Sequence, residues 1–455
     1  MSKTQRGKRF SGRGMWLVCG LILAGHERGR ADEAEPAAPS TVWSFKPEAS
    51  IADYTLYQSN PMFSDEERHW METSVRAGGR VEYRGFSFEA VALGVKTTGQ
   101  DPYGSGNAPA DLPPGAPRVG LEPVFDLDTF YAQWDGGENL PVKISVGRQP
   151  LALGTQFLVG KGVFDGYFRD YPQGVWSTPR NWFDLARVQV DWAKTHYEAI
   201  YYRVNPSQDA AGGTDGYVTG VDVTHEFESI KGTYGGAALY RGSPSRQDND
   251  MTILDARGKQ SLPQLPSVYV GGEYVRQLGT GRNGYYVGTP GGHLDTAAWH
   301  VEMGVQADQT RFKPFAELGY LHFDPSYTPL ATGYSDYDSW YFGNQIQWIM
   351  FGTDTRMIRA KAGFWPHEKV RVLAFFHHVE LATGPTGPLS DEWTLVGEWR
   401  PTAKWLVSAS LGYSLPGRAL AAAGLESFFD RLNHGASLVG DSASFDVSVG
   451  VGFTY

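Results

Sequence analysis

From residue 445 to residue 455 every second side chain is apolar: Phe445, Val447, Val449, Val451, Phe453 and Tyr455 alternate with Asp446, Ser448, Gly450, Gly452 and Thr454. A period of two places the sets on opposite faces of a β-strand. A soluble edge strand could carry the same pattern, but a last strand ending on an aromatic is what an outer-membrane barrel presents for assembly. The period recurs upstream. Trp405, Val407, Ala409, Leu411 and Tyr413 oppose Ser408, Ser410, Gly412 and Ser414, and Val75, Ala77, Val81 and Tyr83 oppose Arg76, Gly78, Arg80 and Glu82. Alternation alone gives β structure with one apolar face, and a soluble sandwich would satisfy it equally.

The connections separate the two. Short turns are expected at Gly85, Asp135 to Leu140, Ala193-Lys194, Glu228-Ser229, Leu278 to Arg282, Gln309-Thr310, Pro366 to Lys369 and Pro401 to Lys404. Long polar segments at 58–69, 97–123, 151–181, 206–215, 242–265, 324–355, 382–390 and 414–442 alternate with them, once 283–289 is counted as one short strand. Up-and-down outer-membrane barrels show this asymmetry, with short periplasmic turns and long outward loops. The fold class expected is all-β: a single transmembrane up-and-down antiparallel β-barrel of about 18 strands, 16 being the other even count that fits. Aromatics such as Tyr83, Trp134, Trp192, Trp399 and Tyr413 fall at strand ends, where the membrane interfaces would lie.

With 41% hydrophobic and 20% charged residues the chain is not of the disordered class. Its one apolar run, Met15 to Gly25, is too short to span a bilayer and follows Lys3, Arg6, Lys8, Arg9 and Arg13 with no acid. That is the order of a secretory signal, and Gly29-Arg30-Ala31 suits cleavage after Ala31. The organisation expected is a signal peptide over 1–31, a short polar segment over 32–42 and a barrel over 43–455. The one cysteine, Cys19, lies inside the apolar run, so the exported chain has no thiol for a disulfide, a metal or a nucleophile. Processing removes seven of 40 basic residues and one of 50 acidic residues, leaving 33 against 49. Such an acidic balance argues against nucleic acid as a partner. Acids in the outward segments instead suit cation-bridged contact with lipopolysaccharide, so outer-membrane lipid is the expected surrounding.

Four stretches in order resemble the alginate-export family of outer-membrane barrels. The first is Val146-Gly147-Arg148-Gln149-Pro150-Leu151 with Gly154 and Leu158-Val159-Gly160, then Phe183-Asp184-Leu185-Ala186-Arg187-Val188. The second is Gly291-Gly292-His293-Leu294-Asp295 leading to Ala298-Trp299. The third is Lys361-Ala362-Gly363 with Pro366, Lys369, His377-His378 and Leu381-Ala382, and the fourth is Gly412-Tyr413-Ser414 with Pro416-Gly417. The resemblance implies one barrel, typically of 18 strands, passing an anionic polysaccharide or related anionic solutes through an arginine-lined lumen. It also implies a periplasmic export partner at the inner mouth.

By parity the lumen cations expected are Arg76, Arg80, Lys143, Arg187, Arg203, Lys231, Lys313, Arg359, Lys361 and Arg371. Arginine suits carboxylate recognition because its planar fork meets both oxygens. Acids at Glu82, Asp191, Asp222, Glu226, Glu273, Glu302, Glu317 and Glu398 share the inward face, so the cations either form a ladder for anions or pair across the wall. Arg148 points outward by parity and is read, with Asp184, as a rim or motif residue. His377 and His378 face opposite ways on one strand and cannot share an ion, so no metal site is expected. Nothing calls for a cofactor, and no G-x-S-x-G supports a hydrolase. Residues 160–182 would either fold into the lumen as a constriction or cover the outer mouth. The leading expectation is a passive, non-enzymatic channel for an alginate-like polyanion. The alternatives are a general diffusion porin, a hydrolase or adhesin acting through its loops, or a soluble periplasmic β-protein.

Overall fold

The structure is a computed structural model that describes residues 43–59, 68–99, 124–137, 140–159, 183–203, 216–242, 250–280, 293–325, 327, 354–384, 386–419 and 443–454. The expected signal and polar N-terminal segments, and the 160–182 segment, lie outside the described residues. Eighteen strands follow in chain order. They are β1 (Ser44–Ser59), β2 (Arg68–Tyr83), β3 (Phe86–Gly99), β4 (Val124–Asp135), β5 (Val142–Gln149) and β6 (Phe183–Trp192). Next come β7 (Thr195–Arg203), β8 (Tyr217–Phe227), β9 (Gly232–Gly242), β10 (Asp250–Leu262), β11 (Leu265–Thr280) and β12 (His293–Gln306). The last six are β13 (Phe315–Phe323), β14 (Thr355–His367), β15 (Val370–Leu381), β16 (Pro388–Trp399), β17 (Trp405–Pro416) and β18 (Ser444–Thr454).

Each strand pairs antiparallel with the next, and β1 closes the ring on β18 through pairs such as Ile51↔Phe453. A closed sheet has no edge, so its backbone donors and acceptors are met between strands, as hydrocarbon surroundings demand. The faces differ chemically. On β14, Thr355, Met357, Arg359 and Lys361 are buried inward while Ile358 and Phe364 are exposed outward. On β17, Ser408, Ser410 and Ser414 turn in, whereas Trp405, Leu411 and Tyr413 turn out. Outward aromatics mark the strand ends: Trp43 stacks on Tyr83 with ring centroids 4.5 Å apart, and Phe86, Trp192, Trp399 and Trp405 are exposed near the short turns. The end with the short turns and both termini of the sheet is the periplasmic end of a barrel of this kind.

The strand count agrees with expectation, but one stretch was assigned differently. Residues 242–265 read as a loop, yet Asp250–Leu262 is a full strand, and the turn beside it is at Pro263-Gln264. Conversely β11 runs through Leu278 to Thr280 with no turn there, and the short strand expected over 283–289 lies outside the described residues. The misreading has a physical cause: β10 turns Met251, Ile253, Asp255 and Arg257 inward, so its lumen face mixes apolar and charged side chains and hides the period.

An outward position deep in the apolar band should reject charge more than one at the rim. Leu411→Arg is expected to cost ~2–4 kcal/mol of folding free energy and Trp405→Arg ~0–1 kcal/mol, measured by denaturant unfolding in lipid vesicles.

Candidate functional site: the barrel lumen

Eighteen strands enclose more space than wall side chains can fill, so what enters the lumen decides its width. After β5 the chain turns inward. Leu151, Leu153, Phe157, Leu158 and Val159 are all buried, and Leu153 pairs with Val159 to make a small hairpin. They pack on an apolar lining built from the inward residues of the outer half of β6 to β16, among them Leu185, Ile200, Leu239, Ile253, Val275, Phe323, Met357 and Val379. The Phe157 ring lies 5.5 Å from Phe323 and 4.9 Å from His300, centroid to centroid. Burying five apolar side chains at ~1.5–3 kcal/mol each is what holds this segment inside, since chain entropy favours leaving it in solvent.

Directly beneath the hairpin lies a charged cluster. Arg257 donates from Nη2 to Asp222 at 2.6 Å and to Thr224 at 2.8 Å, and pairs through Nη1 with Asp255. On the next strand Glu273 accepts from Thr155 of the hairpin. Gly154 (φ +57°) rests on the Arg257 side chain, where an added Cβ would meet Nε at 2.5 Å. Glycine is therefore required there twice, by the left-handed backbone and by the close approach. One guanidinium among three carboxyls thus forms the latch between hairpin and wall.

The predicted cations are mostly paired. Arg187 grips Glu198 with both forks, at 2.6 and 2.8 Å. Arg76 meets Asp128 at 2.9 Å, Arg80 meets Glu82 at 2.9 Å, and Arg371 meets Glu398 at 2.7 Å. Arg359 binds Glu317, which also accepts from the Tyr269 hydroxyl at 2.6 Å. Lys143 stands 3.9 Å from Asp135 near the periplasmic end. Lys361 has its ammonium 5.7 Å from each of the Phe315 and Phe375 rings. These contacts place the cations in wall pairs rather than in a bare positive ladder.

Three placements differ from the expectation. Arg203 follows Tyr201 on the outward, exposed face of β7, because Glu198, Ile200 and Tyr202 occupy the inward one. Lys231 and Lys313 sit in periplasmic turns with positive φ of 47° and 41°, not in the lumen. Arg148 and Asp184 are register partners on the outer face near the mouth, and Asp184 is also opposite Arg203, which makes an outward charge row. His377 is fully buried in the lumen wall while His378 faces out and bonds Asp391 at 2.6 Å; no group able to hold a metal occurs among the described residues.

Sequence reasoning missed two features. The Arg257 cluster is hidden from the sequence because the mixed face of β10 reads as loop. The other is a wall of hydroxyls and acids on β16, β17, β18 and β2: Ser390 and Ser414 share a hydrogen bond of 2.9 Å, Ser410 and Ser448 one of 2.6 Å, and Glu72 accepts from Trp70 at 2.9 Å. Its signal is present in the small and polar residues at alternate positions of β17 and β18, Ser408, Ser410 and Ser414 on one and Asp446 and Ser448 on the other, which parity sets opposite the apolar face without assigning them a role.

The chain matches no protein-family model and no curated protein at the sequence level. Solved structures match the fold along nearly the whole barrel. A BenF-like porin from Pseudomonas fluorescens Pf-5 is similar with a TM-score of 0.57 and 9% identity, over 90% of this chain and 98% of that one. Pseudomonas aeruginosa OccK2 (OpdF) in complex with glucuronate gives 0.56 and 12%, over 92% and 98%. P. aeruginosa OccK11 (OpdR) gives 0.53 and 10%, over 90% and 95%. One of these neighbours is a porin by name, and the alginate-export resemblance finds no counterpart among them. Fold and surface together are those of a porin-type barrel: a closed antiparallel ring of 18 strands with an apolar outer face.

Loosening the latch should widen the passage. Thr155→Val removes the Glu273 partner at an expected cost of ~1–3 kcal/mol. Gly154→Val forces the hairpin off Arg257, and both variants are expected to raise single-channel conductance, Gly154→Val more, as recorded in planar bilayers.

Proposed function

We propose that the protein is a passive diffusion channel of a Gram-negative-type outer membrane, admitting small water-soluble solutes. The observation that carries this reading is the hairpin 151–159 packed inside the lumen, which narrows the passage at the height of the charged cluster. Passage down a gradient needs a wet, narrowed path with weak charge sites and no chemistry from the wall. The paired cations support the same reading: a polyanion exporter would call for a net-basic lining, whereas Arg187, Arg359 and Arg371 each face a carboxylate here. Polysaccharide export keeps only its motif resemblance in support, and no periplasmic export partner is needed for solute diffusion.

Small carboxylates are the solute class we favour. A neighbour of the same barrel shape holds glucuronate, a single sugar acid, and arginine forks with residual solvent contact are suited to such a group. Arg76, Arg80, Arg187 and Arg371 keep side-chain exposures of 15%, 24%, 19% and 15%, against 4% for Arg359 and 5% for Arg257, so they are the arginines a passing solute can reach.

Single-channel recording of the refolded protein, with reversal potentials in a salt gradient and titration by glucuronate and by oligo-uronates, tests the reading. Block by glucuronate at lower concentration than by oligomers supports it. Tight block by oligomers alone would restore polysaccharide export, and absence of any channel would sink both. Replacing Arg76, Arg187 and Arg371 together by glutamine leaves Asp128, Glu198 and Glu398 uncompensated, and the reversal potential is expected to move towards cation selectivity.

A further inference from the structure

We infer that the outer face of β12 to β16 holds an anionic phospholipid of the periplasmic leaflet, with an acyl chain lying in a groove of the barrel wall and its phosphate at a basic rim below. The groove has a volume of about 580 Å³. Its floor is made of outward alanines in adjacent strands: Ala316 is opposite Ala362, and Ala362 opposite Ala374, with Ala360 in the next row. Its walls are bulky, with Met303, Val305 and Leu318 on one side and Phe376 and Trp393 on the other. Along β14 the alanines are flanked by exposed Ile358 and Phe364, so the depression is local to this sector. A wall facing hydrocarbon cannot leave such a hollow empty, because unfilled apolar volume forfeits dispersion contacts.

What fills it is indicated by charge. The three periplasmic turns beneath these strands, 307–314, 368–369 and 400–404, carry Arg311, Lys313, Lys369, Arg400 and Lys404 against only Asp308 and Glu368. Two of the turns are fastened together, Arg400 N–H donating to the Lys369 carbonyl at 2.7 Å and Lys369 Nζ to the Pro401 carbonyl at 2.8 Å. Lys313 is three residues from Ala316, roughly 10 Å along an extended chain, within reach of a headgroup whose tail lies on the alanines. A second copy of this chain docked on its own like sector would bring basic rim against basic rim, which costs free energy, whereas an anionic lipid satisfies tail and charge together. The site is independent of which solute the lumen passes.

Native mass spectrometry of the refolded full chain, offered phosphatidylglycerol or phosphatidylcholine with matched tails, is the test. Wild type is expected to retain phosphatidylglycerol roughly tenfold more tightly, about the effect of one to two basic residues near a lipid surface. Ala362→Phe with Ala374→Phe fills the groove and should abolish retention. The triple change Arg311→Gln, Lys313→Gln, Lys369→Gln lies in the turns, spares the barrel wall, and should bring phosphatidylglycerol down to the phosphatidylcholine level. Equal retention of the two lipids by wild type, or an undiminished preference in the triple variant, would overturn the inference. So would a groove-filled variant that keeps its lipid but loses self-association, since the groove would then lie between copies.

Discussion

Closure of the sheet, β1 hydrogen-bonded to β18, is the interaction on which everything else in this molecule rests. An isolated strand in hydrocarbon would leave a row of unmet amide groups at several kcal/mol each, and only a ring of strands removes that penalty everywhere. Closure also separates two solvents. Every second side chain must suit lipid and every other one must suit a lumen, which is why a chain with 41% hydrophobic residues can still be fully committed to a membrane.

An 18-strand ring is too wide to be filled by its own inward side chains, so the width of the passage passes to whatever the chain folds into it. Here it is a short apolar hairpin pressed on an apolar patch of the inner wall and pinned at its tip by Thr155 and Gly154 to the Glu273 and Arg257 cluster. The division of labour is clear: dispersion and hydrophobic burial keep the hairpin inside, and the charged latch sets where it sits.

Charge in the lumen works mainly in pairs. Removing one partner of a buried pair is costly because the other remains desolvated, so these pairs stiffen the wall while cancelling most of its field. Only a few arginines combine a carboxylate neighbour with remaining solvent contact, and it is these on which our proposal places selectivity. On the outer face the same economy appears in reverse, with apolar rows down the wall and cations gathered in the turns of one sector, where leaflet headgroups lie.

The sequence alone determined the β class, the barrel and the inward or outward sense of most side chains, because a period of two is a local property that closure merely exploits; the count of 18 matched only because a short strand expected over 283–289 stood in for β10. Arg76, Arg187, Arg359 and Arg371 were placed inward on that ground, and Ser408 and Ser410 likewise. Tertiary structure decided what parity cannot express. Arg203 turned outward because β7 starts one residue away from the phase read for it, and β10 emerged because its lumen face carries charges that meet partners on β8 and β11 rather than water. The pairing of Arg257 with Asp222, 35 residues apart, and the contact of Thr155 with Glu273, 118 residues apart, exist only once the ring is closed. The sequence offered residues 160–182 as constriction or cover, a segment outside the described residues; that residues 151–159 are seated in the lumen depended on an apolar patch assembled from eleven strands.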